Sequence, residues 1–251
     1  ILKTSNVERF TGNISLSPSL LQDHLKINQN AKGTYINNRF ASTDAVGGAV
    51  FFDPTKPVYN DNTKYGGHDT CTADGTSNGS KQGFAINPLS ILEMTNDKSK
   101  VKAFVGNAQF DYKLHFLPDL RLNVNMAYDY SNSDGGKYID PIAPSNYGDD
   151  EDKTGSQSHY EETCKNALFE SYAQYAKDLS SIDSRFDIMG GYSYQSYKQD
   201  KNSVTYFLSR NPNNYGQETT VDQAYKEDPK KYVLISFYGR ANYTFKDRYL
   251  M

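Results

Sequence analysis

The sequence predicts an all-β fold: an antiparallel up-and-down meander of about seven long strands, forming part of a large barrel wall. Three observations predict it. Apolar and polar residues alternate over long stretches, most clearly where Leu120, Leu122, Val124, Met126, Tyr128 and Tyr130 alternate with Arg121, Asn123, Asn125, Ala127 and Asp129. A period of two is a strand with one greasy and one wet face. Alternating segments also come in pairs joined by short turns, with long polar loops between the pairs. Finally, the alternation persists for about a dozen residues, whereas strands of a soluble sandwich usually run about five or six. Crossing a bilayer takes about 9 to 11 strand residues, so long strands with short turns at one end and long loops at the other fit an outer-membrane barrel.

Taken in order, residues 9–17 form the first strand, with Phe10, Gly12, Ile14 and Leu16 on one face. A turn over 18–23 leads to a second strand at 24–40, whose weaker apolar face carries Leu25, Ile27, Ala31, Gly33 and Tyr35. Residues 41–99 make a long extracellular loop rich in Gly, Asn, Asp, Thr and Pro; within it, 44–52 suits a short helix or a strand equally. The third strand, 100–116, aligns Phe104, Gly106, Ala108, Phe110, Tyr112 and Leu114. Leu117-Pro118-Asp119 turns the chain into the fourth, since Pro pre-sets a turn dihedral. A loop at 131–158 separates this hairpin from strands at 160–179 and 182–198, which are joined by Ser180 and Ser181. Residues 166–178 are also acceptable as a helix, because Ala, Leu, Glu and Gln suit one. The sixth strand aligns Phe186, Ile188, Tyr192 and Tyr194. A loop at 199–230 precedes the last strand, 231–247, with Val233, Ile235, Phe237, Ala241, Tyr243 and Phe245 in alternation. The hairpins therefore cover about 9–40, 100–133 and 160–198, and all long loops leave the sheet on one side.

Bulk properties agree. The chain has 251 residues and a net charge of -3, too small to argue for nucleic acid, and no basic run suggests a polyanion. Tyrosine is abundant, 21 residues with 13 Phe and no Trp, as suits strands and half-wet surfaces. Mean hydropathy is -0.75, which a barrel permits because only alternate wall residues meet lipid. No run of about 18 apolar residues marks a transmembrane helix. Ile1 opens into polar, strand-like sequence without a secretion signal, and the sequence stops at Met251 as another strand begins. Bacterial barrels use an even number of strands, from eight upward, so a piece of a longer protein is expected.

At this point several stretches resemble the SusC/RagA family of TonB-dependent outer-membrane transporters. The hairpin Gly106-Asn107-Ala108-Gln109-Phe110-Asp111-Tyr112-Lys113-Leu114, followed by Phe116-Leu117-Pro118-Asp119-Leu120-Arg121-Leu122-Asn123, is similar to one in that family's barrel. Leu21-Gln22-Asp23-His24-Leu25-Lys26-Ile27-Asn28 fits it too. So do Asp53-Pro54-Thr55-Lys56-Pro57-Val58-Tyr59 with the later Asn87-Pro88-Leu89, and the stretch from Tyr238-Gly239-Arg240-Ala241 to Tyr249-Leu250. The resemblance spans nearly the whole chain in order. It implies a parent of about 22 strands with a plugged lumen, importing glycan oligosaccharides or peptides beneath a SusD-like surface lipoprotein. No plug-like stretch or TonB-contacting segment is found here, so energy coupling through the TonB complex belongs to the parent, and the piece alone is not expected to transport. Exposed greasy faces should make the isolated piece self-associate.

Candidate sites lie in the loops. Tyr59, Tyr65, Phe84, Tyr138, Tyr147 and Tyr215 offer rings that can stack on sugars, although Tyr also commonly covers barrel rims. Asn87 and Asp53 precede prolines in the longest loop and either meet the lid protein or simply start turns. Tyr128, Tyr130, Tyr192 and Tyr194 suit an interfacial girdle facing lipid. The acidic run at 149–152 lacks the spacing and glycine of a calcium loop, and reads more simply as a solvated tip. His24, His68, His115 and His159 share no metal spacing, and Asp129, Asp183 and Asp187 fall on the luminal face. Cys71 and Cys164 are a disulfide or two separate thiols. No nucleophile motif, phosphate loop or zinc pattern occurs, so no enzyme, metal or cofactor is expected. The alternative is a secreted, soluble carbohydrate-binding or adhesive sandwich, whose apolar faces would pack together across two sheets.

Overall fold

A computed structural model of the protein describes residues 2–60, 65–69, 86–146, 150–179, 182–245 and 249–250. Among the described residues nine strands form one antiparallel sheet: β1 (Asn6–Leu16), β2 (Ser19–Leu20), β3 (Leu25–Phe40), β4 (Thr95–Lys113), β5 (Leu120–Ile139), β6 (Thr154–Leu179), β7 (Ser184–Leu208), β8 (Glu218–Phe245) and β9 (Tyr249–Leu250). The order is β1-β3-β4-β5-β6-β7-β8-β9, with two-residue β2 pairing β3, so sequential long strands are spatial neighbours. This is the expected meander: seven long strands and two short additions.

Register aligns the alternating apolar residues of all seven long strands on one face, with Val105, Leu168, Leu234 and Tyr238 on the other. Phe104 pairs Tyr130, Ala108 pairs Met126 and Phe110 pairs Val124. Met126 pairs Phe169, which pairs Tyr194, which pairs Ile235. On the first strands Phe10 pairs Tyr35 and Ile14 pairs Ala31. Directly paired side chains share a face, so a one-residue slip anywhere would turn the greasy residues to the wet side. Rings touch along this face: Tyr192 and Phe237 lie 5.4 Å apart between centroids, and Phe186 and Tyr243 4.8 Å. The other face is mostly polar. Gln174 donates to Asp187 at 2.9 and 3.0 Å, Arg240 approaches Asp187 at 3.8 Å, and Asn125 donates to Glu170 at 3.2 Å.

Nothing among the described residues covers the apolar face. Phe10 is 77% exposed and Phe237 81%, and the buried hydrophobic residues come from loops and strand ends: Ala45, Tyr65, Ile91, Leu92, Leu114, Ala143 and Leu208. A two-sheet sandwich would bury this face, so the single layer removes that alternative's structural premise.

Three details of the expectation are corrected or decided by the fold. Strands reach further than alternation showed: β5 runs to Ile139, β6 begins at Thr154, β7 reaches Leu208 and β8 begins at Glu218. The loops expected at 131–158 and 199–230 shrink to 140–153 and 209–217, and that at 41–99 ends where β4 begins at Thr95. The hydrophobic period fades there because apolar and polar residues no longer alternate between the two faces, while backbone pairing continues. Pro229 sits in β8 at an irregularity, where Gln199 pairs Lys230 but Lys201 pairs Glu227. An extra residue on one strand frees an amide position, which is where a strand tolerates Pro. Second, 166–178 is the expected strand rather than the helix that its residues also allow, and lies inside β6. Pairing on both sides overrides the helical preference of its Ala and Glu. Third, Asp183 has φ 46° and makes the β6–β7 turn, so it is a turn residue and not a luminal one. The turn residues Ser180 and Ser181 lie outside the described residues, as do Phe84, Tyr147, Cys71 and Asp149.

Candidate functional site

The described parts of the loops 41–94, 140–153 and 209–217 gather at one end of the sheet, opposite the short turns at 17–24 and 114–119 and the turn residue Asp183. The first builds a small folded unit. Helix α1 (Asp44–Phe51) packs on helix α2 (Pro88–Glu93), and Ala45, Ile91 and Leu92 are its buried core with Ala41 and Ile86 beside them. The segment 44–52, ambiguous in sequence, is thus helical to Phe51. Gly48 lies close to the loop backbone: a Cβ there would meet the Ile86 carbonyl oxygen at 3.0 Å.

Asn87 organises the unit. It is fully buried, its side-chain oxygen accepts from Leu89 N–H at 3.0 Å, and Nδ2 donates to the carbonyls of Val58 at 2.7 Å and Asp69 at 3.1 Å. One side chain therefore caps α2, with Pro88 at its start, and pins both ends of the 58–69 finger. That finger is closed by a bridge between Tyr59 and His68, where Asn60 N–H donates to Gly67 oxygen at 2.8 Å. Gly66 and Gly67 have φ 62° and 82°, the left-handed region in which a Cβ is strained. Asp53 likewise makes a turn, its Oδ1 accepting from Thr55 N–H and hydroxyl at 2.9 and 2.7 Å. These bonds hold its carboxyl below the ordinary carboxylate range. Turn chemistry accounts for both Asn87 and Asp53.

Glu93, at the end of α2, collects three donors. Lys3 Nζ approaches Oε1 at 2.5 Å, Tyr59 Oη donates to Oε2 at 3.0 Å, and His68 Nε2 lies 3.2 Å from Oε2. The Lys3 bond, then those of Tyr59 and His68, lower the Glu93 pKa against the opposing effect of burial. The same carboxylate raises the Tyr59 and Lys3 pKa values. Sequence reading missed Glu93 because its partners are distant in the chain and no local motif links them.

The second and third loops are laced to the first. Asp140 N–H donates to Met94 oxygen at 3.0 Å, Tyr215 Oη donates to Asp140 Oδ1 at 2.5 Å, and Ser209 Oγ donates to Asp152 Oδ1 at 2.7 Å. Burial and the Asp140 carboxylate push the Tyr215 hydroxyl pKa well up, so it stays a donor. Tyr138 Oη lies 3.8 Å from where a Cβ on Gly216 would sit, which puts it beside the Tyr215 turn.

The structure thus divides the candidates. Tyr59 is 53% exposed and Tyr215 44%, and both present rings on the loop layer. Tyr138 is half-buried beside Tyr215. Tyr65 and Asn87 are fully buried and shape the loop, offering no open face. At the opposite end His24 and His115 stack at 3.9 Å, a meeting that their separation in sequence concealed. Among the described residues no group of three or more His, Cys, Asp or Glu is placed to hold a metal ion.

Comparison with known proteins fits this architecture. No family model matches the chain. It is 37% identical over 266 aligned positions to the TonB-dependent receptor SusC of Bacteroides thetaiotaomicron, covering 100% of this chain and 25% of that protein. Two TonB-dependent receptors of Formosa agariphila, P26 and P3, are each 24% identical, covering 100% of this chain and 24% of theirs. The chain therefore spans about a quarter of the length of the curated relatives it matches. Among solved structures, the RagAB peptide importer in its closed-closed state superposes with a TM-score of 0.65 at 18% identity, over 96% of this chain and 26% of that one. The open-open state gives 0.62 at 17%. At that identity the likeness shows the fold.

Proposed function

Because this chain belongs to the SusC/RagA family of TonB-dependent receptors, we propose that it is a stretch of barrel wall from an outer-membrane nutrient importer. The observation that carries the reading is the uncovered apolar face, continuous over seven long strands. On β5 the apolar alternation runs from Leu120 to Tyr130, matching the 9–11 residues needed to cross a bilayer, while the strand continues beyond it to Ile139. Lipid covers the apolar face, the polar face with Asp187, Glu170 and Arg240 lines the lumen, and the loop layer faces outward.

The loop layer is then the surface on which a SusD-like lipoprotein would close and past which a glycan or peptide would enter. Tyr59 and Tyr215 are the rings placed to touch either, each fixed by a carboxylate, and Tyr138 supports Tyr215. Phe84 and Tyr147, outside the described residues, remain candidates by position in the same loops. RagAB is a peptide importer, which supports peptides as one candidate substrate class. Energy coupling through the TonB complex would act through parts of the whole receptor other than this wall.

Deleting the gene for the intact receptor and testing growth on a panel of glycans and peptides checks the reading. A defect confined to one nutrient class is expected, with the protein in the outer-membrane fraction. Unchanged growth on every nutrient, together with a soluble protein, would overturn it.

A further inference from the structure

The apolar band ends in lysines. Lys165 of β6, Lys198 of β7 and Lys231 of β8 are direct register partners on adjacent strands. Lys165 also pairs Tyr130, and its Nζ lies 6.0 Å from the centre of that ring, so the row is on the apolar face at its loop-side margin. Lys102, exposed on β4, pairs Tyr35 and Asn132 one step above Phe104 and Tyr130. Cβ atoms of residues directly opposite lie about 4.5–5.5 Å apart, and like charges there are destabilising unless neutralised. Asp200 Oδ2 lies 2.7 Å from Lys198 Nζ, and Asp134 and Glu161 stand farther up the same face, while Lys165 and Lys231 enter no salt bridge among the described residues. Farther up the same strands the face opens into a groove of about 350 Å³ lined by His159, Glu161, Asn202, Val204 and Lys226.

We infer that Lys165, Lys198 and Lys231 form a docking row for phosphorylated lipid headgroups of the outer leaflet, with the polar groove above taking the headgroup's remaining hydrogen-bonding groups. This rests on the membrane-wall reading, because only a bilayer on the apolar face brings a headgroup to that height. Charge complementarity selects the occupant: acyl chains lie along the apolar band, Tyr130 marks its margin, and anionic oxygens meet the cations just above. A soluble anion would have no reason to track the edge of a greasy band.

The test uses the intact receptor in nonionic detergent, titrated with bisphosphorylated lipid A, with its dephosphorylated form, and with inorganic phosphate as competitor. The combined change Lys165→Gln, Lys198→Gln and Lys231→Gln is expected to weaken lipid A binding at least tenfold and flatten its salt dependence. Lys32→Gln, on the opposite face, should leave it unchanged. Dephosphorylated lipid should bind the parent receptor as poorly as lipid A binds the triple variant. If the glutamine variant does not fold, the Lys→Arg triple keeps the charge and should bind, while single glutamine variants should each lose two- to threefold. Equal binding by folded triple variant and parent would overturn the row, and full competition by millimolar inorganic phosphate would overturn the lipid assignment. Cell fractionation separates the failures: a receptor in the outer membrane whose triple variant still binds refutes only the row, whereas a receptor absent from that membrane refutes the reading beneath it.

Discussion

Asn87 shows how much one buried side chain can hold. It caps α2 and satisfies carbonyls at both ends of the 58–69 finger, so Asn87→Ala leaves three partners without theirs. A buried group stripped of its partner costs about 1–3 kcal/mol. We expect the finger to loosen by about that much, read as faster hydrogen exchange at Asn60 and Asp69 with strand protection unchanged; exchange as slow as in the parent would refute the role. Two neighbouring glycines make a sharper comparison. A Cβ on Gly190 would meet nothing within 4 Å, whereas on Gly191 it would lie 2.6 Å from the Tyr238 ring and 2.8 Å from Tyr172 Cβ. Gly191→Ala should therefore destabilise by about 1–3 kcal/mol, as overpacking does, and Gly190→Ala by much less. Equal unfolding midpoints for the pair in denaturant would contradict the packing of Tyr238 over Gly191. Asn before Pro was legible in the sequence as a turn, because that chemistry is local. The finger it pins was not, since its partners are brought there only by the folded loop.

At the scale of elements, legibility followed the apolar band. Strands were readable wherever one face is apolar, as in β5 from Leu120 to Tyr130, and unreadable where β7 and β8 continue without alternation. Alternation reports a difference between two environments; outside the band both sides are wet, and only backbone pairing marks the strand. Distance along the chain hid the Glu93 cluster, which ties Lys3 to the loop unit across 90 residues. Its pH dependence has a definite sign. Glu93 has a depressed pKa in the folded chain, so its contribution is complete above the ordinary carboxylate range and is lost as pH falls through the lowered value. Lys3 has a raised pKa, so its share is complete below the ordinary lysine range and is lost as pH rises through the raised value. The cluster is therefore fully effective between about pH 4.3 and 10.4. Exchange at Asn60 and Asp69, corrected for intrinsic rates, should quicken on acidification below that window, and Glu93→Gln should remove the dependence. A variant with the parent's pH profile would show that other groups hold the finger.

At the scale of the whole molecule, the quantity that matters is exposed area. The chain presents 16003 Å² to solvent, whereas a compact monomer of this mass would expose about 11,000 Å². The excess follows from a single-layer sheet whose apolar side has no covering layer among the described residues: Ile14, Ile235 and Phe237 are 65%, 58% and 81% exposed. Contiguous apolar patches on soluble monomers rarely exceed a few hundred Å², and this face runs across seven long strands. The sheet also carries a long free edge in β1, whose described pairing is with β3 alone, from Asn6 to Leu16. Such an edge is a template for another strand. In water the isolated chain should therefore associate, burying greasy faces against each other or extending the sheet edge to edge. Light scattering across a concentration series is expected to show species larger than one chain, and detergent micelles should dissolve them by covering the same face. Replacing Phe10, Ile14, Ile235 and Phe237 together with Ser should shift the detergent-free population toward monomer, because it removes apolar area while leaving the polar face intact. A monodisperse monomer at high concentration without detergent would mean that the face is covered from within the chain, and the barrel-wall assignment of that face would fall with it.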